Sequence, residues 1–354
     1  MDSAKNNKAV GIIKRVAGIV VIPLLCFVIM EIACAANGIS LFNGGYSTLQ
    51  LFLRGTTFVF LLSLGVSINM HTGRFDFSTG AVMLISGVVG AKIAYQLNLG
   101  PAGMMVIAAV TGLVVGGLVG LLYILLKLPP MIIGLGMALV LEGLVAIISD
   151  GCKPVRFGSD TSYYSFSVNP IALLILMAIG LTVMIIIFHY TKFGYDYRAL
   201  QTGQKIAVNT GVNEKKNALG CYIIAGFFFG LAGALSICTN NGVTPTINFS
   251  TIATMFSCFL PLFFSGFIGK FINKQVAILL SCISYEFIQI GFGQITFKNA
   301  AFTTEIRSVV EAVILVAFLI YLNNEVKIVE FVMLKNFREK MKAKRLEETT
   351  ESEV

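Results

Sequence analysis

Apolar residues run through this chain in long blocks, not in the short alternations of half-buried soluble elements. Blocks near 20 residues recur at roughly 16–36, 48–70, 77–95, 101–126, 131–149, 170–189, 218–238, 251–269, 275–291 and 303–322. At ~1.5 Å rise per residue, about 20 helical residues cross the ~30 Å hydrocarbon layer of a bilayer. The pattern predicts an all-α, polytopic membrane protein with about ten transmembrane helices. The fifth, eighth and ninth blocks are short or interrupted by glycine and are expected to be broken or re-entrant. Residues 1–322 form the expected membrane domain, and 323–354 a charged cytoplasmic tail.

Composition agrees, since the 354 residues are 56% hydrophobic and 12% charged, against about 25% charge in soluble domains. Charge also predicts orientation. With both termini cytoplasmic, the inner loops fall at 71–76, 127–130, 190–217 and 270–274, and 20 of the 26 Lys and Arg residues lie on that side. Arg54, Lys92, Lys153, Arg156, Lys298 and Arg307 are the other 6. This is the positive-inside pattern. It accounts for the net charge of +8 without nucleic acid, which would need a soluble basic platform.

The basic head, Lys5 to Arg15, and the small residues Ala33-Cys34-Ala35-Ala36 imitate a cleavable signal. The run between them is long for one and carries Glu31, so it reads as an uncleaved first helix. Seven cysteines show no metal spacing, and six lie in or beside apolar blocks as small packing residues. Nucleotide chemistry is absent: Gly266-Phe267-Ile268-Gly269-Lys270-Phe271 has the wrong spacing for a phosphate loop and lacks the Ser or Thr after Lys. His71 and His189 stand far apart in the chain, so neither a metal site nor a catalytic triad is expected. The chain is read as no enzyme, without cofactor, so energy for transport must come from an ion gradient or another subunit.

Four features carry information. First, His71-Thr72-Gly73-Arg74-Phe75-Asp76-Phe77-Ser78-Thr79-Gly80 joins the second and third spans with almost no linker. Gly73 and Gly80 permit conformations other residues resist, and Asp76 and Ser78 are N-cap types. Arg74 is expected to pair with Asp76 or to reach lipid phosphate. The segment reads as a tight capped turn or as a discontinuous helix lining the pathway. Second, the long polar connection from Thr191 to Asn213 predicts a short helix over Tyr197–Val208, with Leu200, Ile206, Ala207 and Val208 as contacts. Gly203 weakens its middle and Gly211 ends it. Such a helix suits a docking partner or an anionic lipid surface.

Third, Gly112, Gly116 and Gly120, and likewise Gly226, Gly230 and Gly233, form small-residue rows for close helix packing. Fourth, Glu31, Glu142, Glu286 and Glu311 lie at membrane depth, where acids face cavities or partners. They are too scattered for a proton relay, and structural hydrogen bonding is the simpler reading. The loop from Asp150 to Tyr164 is polar enough to receive a partner from outside.

At these residues the chain resembles the permease subunits of bacterial ABC importers for ribose and related simple sugars. Thr72-Gly73-Arg74-Phe75-Asp76-Phe77-Ser78-Thr79-Gly80 is similar to that family's T-G-G-I-D-L-S-V-G, and Pro129 to Gly136 to its P-P-F-I-V-T-L-G. Thr191-Lys192-Phe193-Gly194, Ala199 and Gly211-Val212-Asn213 match T-R-F-G, A and G-I-N at the same spacing. Ala225 to Leu235 resembles S-G-L-L-A-G-L-A-G-V-L, so the likeness covers roughly 50–240. Departures are Arg74 for the second glycine of T-G-G, Gln201-Thr202 for the docking-loop glycine pair, and Gln204 and Lys205 for the acids that follow it.

The resemblance implies a multi-pass protein of the bacterial cytoplasmic (inner) membrane, paired with a second permease copy or a paralogue. A cytoplasmic ABC ATPase subunit, which binds the ATP, would grip the 191–213 connection. An extracytoplasmic substrate-binding protein would deliver a simple sugar. On this reading Phe193, Gly194, Arg198, Gly203 and Gly211 couple the chain to the ATPase. Gly73, Asp76, Ser78, Gly80 and Glu142 lie at the translocation path or its gate. A nucleoside or branched-chain amino acid permease and a self-contained proton-coupled carrier are the alternatives.

Overall fold

The computed structural model describes residues 2–158, 160–295 and scattered positions between 309 and 320. Met1–Thr296 forms one unit and Phe297–Val354 a second. The first unit holds α1 (Asp2–Ala35), α2 (Tyr46–Met70), α3 (Thr79–Gln96), α4 (Gly100–Leu126) and α5 (Pro130–Ile148). Then follow β1 (Val155–Arg156), α6 (Ser162–Val168), α7 (Pro170–Tyr190), α8 (Lys192–Thr202), α9 (Gln204–Asn209) and α10 (Glu214–Thr239). It closes with β2 (Gly242–Val243), α11 (Ala253–Phe256), α12 (Phe259–Ile268) and α13 (Lys274–Gln294).

Among the described residues seven helices are long and apolar enough to cross a membrane: α1 over Arg15–Ala35, α2, α4, α5, α7, α10 and α13. Leu25, Leu118, Ile147 and Ile171 lie exposed on their outer faces. A helix with all its backbone bonds satisfied internally can present such residues to lipid. The expected all-α, polytopic membrane fold is therefore observed. The fifth and ninth blocks are continuous helices, α5 and α13, and only the eighth is broken, into α11 and α12. The tail after residue 323, Glu311 and most of the tenth expected span lie outside the described residues.

Local sequence explains the boundaries. Proline occupies the first turn of α4, α5 and α7, where its missing N–H costs nothing. Asn169 caps α7 by accepting from Ile171 N at 3.0 Å, and Asn213 caps α10 by accepting from Lys216 N at 3.1 Å.

The core is α3, α4 and α10, and glycine sets its spacing. A Cβ on Gly112 would sit 2.1 Å from the Gly226 carbonyl oxygen, and one on Gly226 2.1 Å from that of Gly112. Gly230 faces the Ala108 carbonyl and Gly233 the Met83 carbonyl just as closely. Gly112 and Gly116 thus meet Gly226 backbone against backbone, while Gly230 packs on Ala108 of α4 and Gly233 on α3. Six cysteines are buried and Cys152 is half-buried, all as free thiols.

Chain alternation gives the bundle two ends. One carries the α2–α3 connection, the α4–α5 turn, α8, α9 and the start of α13. The other carries α6 and the antiparallel pair β1–β2, with Val155 opposite Val243.

Candidate functional site

The α2–α3 connection folds back on the end of α2, Arg74 N donating to Asn69 O at 3.0 Å, with Gly73 at a φ of +74°. Asp76 is buried and starts α3: Oδ1 accepts from Ser78 N at 2.9 Å, and Oδ2 accepts from the Ser78 hydroxyl at 2.9 Å. The cap is thus Asp76 alone, because Ser78 gives its hydroxyl to Asp76 and caps no backbone group. Burial pushes the Asp76 carboxyl up to about 6, against the opposing pull of the Ser78 hydrogen bonds.

Arg74 does not pair with Asp76 or reach outward. Its side chain is 5% exposed, its guanidinium lies 3.8 Å from Glu214 at the start of α10, and it donates to the Thr72 hydroxyl at 3.0 Å. Glu214 also accepts from Gln204 of α9. A chain of polar contacts therefore links α9, through Glu214, to the connection. Asn69 is buried beneath it, and neither polar atom of its amide has a partner.

Three other segments converge here. Gly134 of α5 seats on the connection, where a Cβ would lie 2.6 Å from Phe77 N and 2.7 Å from Asp76 Oδ1. Gly80 in the first turn of α3 meets Thr251, whose carbonyl oxygen a Cβ would approach to 1.9 Å. Glu142 of α5, also buried, holds the segment preceding α11. It accepts from Phe249 N at 2.9 Å, Thr251 N at 2.9 Å and the Thr251 hydroxyl at 2.7 Å.

That segment starts at the β1–β2 pair, beside Phe157 and Tyr95 near the end of α3. It reaches Gly80 near the start of α3 by Thr251. Fifteen helical residues of α3 correspond to roughly 20 Å, and residues 243–251 cover that distance as irregular chain, with a turn at Asn248 and Phe249 (φ of +69° and +63°) closed by the Ser250 hydroxyl donating to Thr246 O at 3.1 Å. The broken span is thus half irregular chain and half helix. Phe75 and Phe77 pack on its helical half, against Phe259 and Phe256.

Asp76, Ser78, Gly80 and Glu142 are therefore brought together around the broken span, whereas Gly73 turns the connection with nothing within 4 Å of where its Cβ would be. Of the other acids, Glu31 accepts from Leu41 N at 3.0 Å and Glu286 lies against Gly55 of α2. They form no chain with Glu142.

The second predicted group divides by role. The 191–213 connection forms two helices, and the first starts at Lys192, five residues before the expected start at Tyr197. Phe193 packs between Phe188 and Tyr197, and its carbonyl accepts from Asn217. Gly194 lies against the Phe188 backbone, and the Tyr197 hydroxyl donates to Ile68 O at 2.9 Å. These residues fasten α8 to α7, α10 and α2.

Gly203 is the extended joint between α8 and α9, and Gly211, at a φ of +96°, follows the end of α9. Between them α9 buries only Ala207, while Ile206 is 72% exposed and Val208 is exposed beside it. Of the four expected contacts, Leu200 and Ala207 face the bundle and Ile206 and Val208 face away. Arg198 stacks over Tyr195 at 4.7 Å.

Arg198 also lines a cavity of about 220 Å³ into which the structure brings both His71 and His189, despite their separation in sequence. Among the described residues no cluster suits a metal ion. The Arg74–Glu214 contact, the unpartnered Asn69 and this cavity were not foreseen from the sequence. All three depend on contacts between distant segments.

A family model described as "branched-chain amino acid transport system / permease component" matches residues 48–319. The D-allose transport system permease protein AlsC of Escherichia coli is 29% identical over 194 residues, 53% of this chain and 58% of that protein. The galactose/methyl galactoside import permease protein MglC of Escherichia coli is 24% identical over 313 residues, 82% of this chain and 91% of its own. The ribose import permease protein RbsC of Bacillus subtilis is 25% identical over 191 residues, 52% of this chain and 59% of its own. The chain thus spans little more than half the length of two of these three relatives. No solved structure matches it.

Proposed function

Since this chain belongs to the branched-chain amino acid transport system permease family, we propose that it is the membrane-spanning permease subunit of an ATP-driven bacterial importer. Its cargo is a simple sugar, a ribose-like monosaccharide. The names of its relatives, permeases for allose, galactose and ribose, support sugar over the amino acid in the family's description. A cytoplasmic ATPase subunit, an extracytoplasmic binding protein and a second permease copy or paralogue complete the machine, with both termini of this chain cytoplasmic.

The observation that carries the reading is α9. A six-residue helix with Ile206 and Val208 outward has few contacts of its own, and Gln204 ties it through Glu214 to Arg74 at the gate. Closure of the ATPase subunits would push α9, and the contact chain would pass that push to the α2–α3 connection. Asn69, with neither end of its amide paired, is a polar group that a second arrangement of the gate would satisfy. A proton-coupled carrier fits less well, because both oxygens of Glu142 are engaged by Phe249 and Thr251.

The test is mass spectrometry of what co-purifies with the tagged protein under mild detergent. An ATPase subunit retained by the wild type and lost on Ile206→Glu supports the reading. Its absence even after gentle crosslinking refutes it.

A further inference from the structure

We propose that the cavity between α2, α7, α8 and α13 is a binding site for phosphate or a phosphate monoester, apart from the translocation path. Its volume is about 220 Å³, and its walls carry His71, His189, Arg198 and Lys274 but no carboxylate. Among the described residues neither Arg198 nor Lys274 has an acidic partner. Arg198 and Lys274 are two positive charges around one space and call for an anion between them, while burial and the Lys274 charge hold His71 below the usual imidazole range.

The hydrogen bonding within the walls points the same way. Lys274 Nζ donates to Gln201 Oε1 at 3.2 Å, and His189 Nε2 contacts Gln275 Oε1 at 3.2 Å. His71 Nδ1 lies 2.8 Å from Ser67 O, which makes it the donor there. The side-chain amide oxygens of Gln201 and Gln275 are thus engaged inside the wall. The Gln275 amide N–H group and the remaining Lys274 protons stay available as donors, and the Arg198 guanidinium keeps its N–H edges while its face stacks over Tyr195. These donors line one part of the cavity and Met184, Phe188, Ile272 and Ile278 the rest, a division that suits the ionised, accepting oxygens of a phosphate on one side and a less polar ester group on the other.

A second, independent feature is the start of α13. This 21-residue helix begins at the cavity wall, and the Asn273 side chain forms no cap with it. The open N–H groups of its first turn add to the positive end of the helix, an arrangement suited to phosphate. An anion bridging Arg198 on α8 and Lys274 on α13 would tie α8 to the bundle and restrain α9 beyond it. That consequence rests on the coupling role proposed for α9, whereas the site itself does not.

The phosphate can belong to a soluble ester or to a lipid headgroup, and the experiment separates them. The full chain is placed in phosphatidylcholine nanodiscs and its thermal unfolding followed with inorganic phosphate, ribose 5-phosphate or ribose at constant ionic strength. A parallel set of nanodiscs contains phosphatidic acid, whose headgroup is a phosphate monoester, whereas that of phosphatidylcholine is a diester. The expected result is a saturable rise in Tm with phosphate or ribose 5-phosphate and none with ribose. The apparent affinity should fall at least tenfold in Lys274→Gln and in Arg198→Gln, but not in Lys205→Gln on the exposed face of α9. Phosphatidic acid that raises Tm in a Lys274-dependent way, with no further rise from the soluble ester, supports the site with a headgroup as its occupant. The proposal is overturned if neither source gives a saturable shift, or if the shift survives both substitutions. Loss of the ATPase partner in the co-purification test would leave this result untouched.

Discussion

The contact between Arg74 and Glu214 predicts an asymmetry between two substitutions that break the same ion pair. At 3.8 Å the attraction is on the order of 4 kcal/mol at an effective dielectric near 20. The Glu214 side chain is 30% exposed, so water screens part of that. Glu214→Gln leaves a guanidinium 5% exposed with no anionic partner, facing the Thr72 hydroxyl, the Cys221 thiol and the Tyr123 ring, 5.9 Å from its centroid. A fully buried charge stripped of its partner costs ~3–5 kcal/mol, and with Glu214 part-solvated the expected cost is about 1–3 kcal/mol. Arg74→Met removes the charge that needs compensation and fills similar space, while Glu214 can still be hydrated. Its expected cost is about 0–1 kcal/mol. With ~2–4 °C per kcal/mol for a domain approaching this size, Glu214→Gln should lower Tm by several degrees and Arg74→Met by little. The double variant should recover to the Arg74→Met value. A thiol-reactive dye suits the assay, since Cys221, Cys238, Cys258 and Cys282 are buried until unfolding. An Arg74→Met loss equal to or above that of Glu214→Gln would refute the reasoning, as would a double variant weaker than either single one.

Gly134→Ala should lower Tm, because its Cβ would lie 2.6 Å from Phe77 N, whereas Gly136→Ala meets nothing within 4 Å and should be neutral or up to ~1 kcal/mol stabilising; equal melting curves would contradict the seating of α5 on the α2–α3 connection. The Asp76 carboxyl rises from 3.8 to about 6, so the folded chain holds that proton more tightly than the unfolded one. Its contribution is therefore most favourable at acid pH and declines as pH climbs through that window, by ~3 kcal/mol in all. Asp76→Asn keeps an acceptor for Ser78 N and should flatten this part of the stability profile; an unchanged profile would exclude Asp76 as its source. A membrane-impermeant maleimide added to intact cells should label Cys152 alone, the other six thiols being buried; labelling only in inverted vesicles would reverse the expected topology.

Much of the helical framework was legible in the sequence. The blocks at 101–126 and 170–189 correspond to α4 (Gly100–Leu126) and α7 (Pro170–Tyr190) within a residue, because lipid demands one kind of surface along each span. The glycine rows announced close packing, and the convergence of Asp76, Ser78, Gly80 and Glu142 was anticipated as a group. What stayed hidden were pairings between distant segments. Glu142 holds backbone groups 107 and 109 residues away, and hydropathy marks it only as an acid at depth. Arg74 looked free to meet its neighbour Asp76, but Asp76 is occupied by Ser78, which leaves Arg74 for Glu214. Gly203 was read as a weak point within one helix, yet its extended backbone separates two.

The non-helical half-span before α11 has a consequence for biogenesis. An irregular stretch entering lipid alone would carry bare peptide N–H groups, which hydrocarbon cannot satisfy. The acceptor for two of these groups is Glu142, on a helix that leaves the ribosome more than a hundred residues earlier. Insertion of this part of the chain is therefore not a sequence of independent spans. Residues 243–251 must find α5 already folded beside the translocon and enter the bundle against it. A nascent chain carrying Glu142→Ala should stall at this point, and quality-control proteases would meet it before any transport defect could appear.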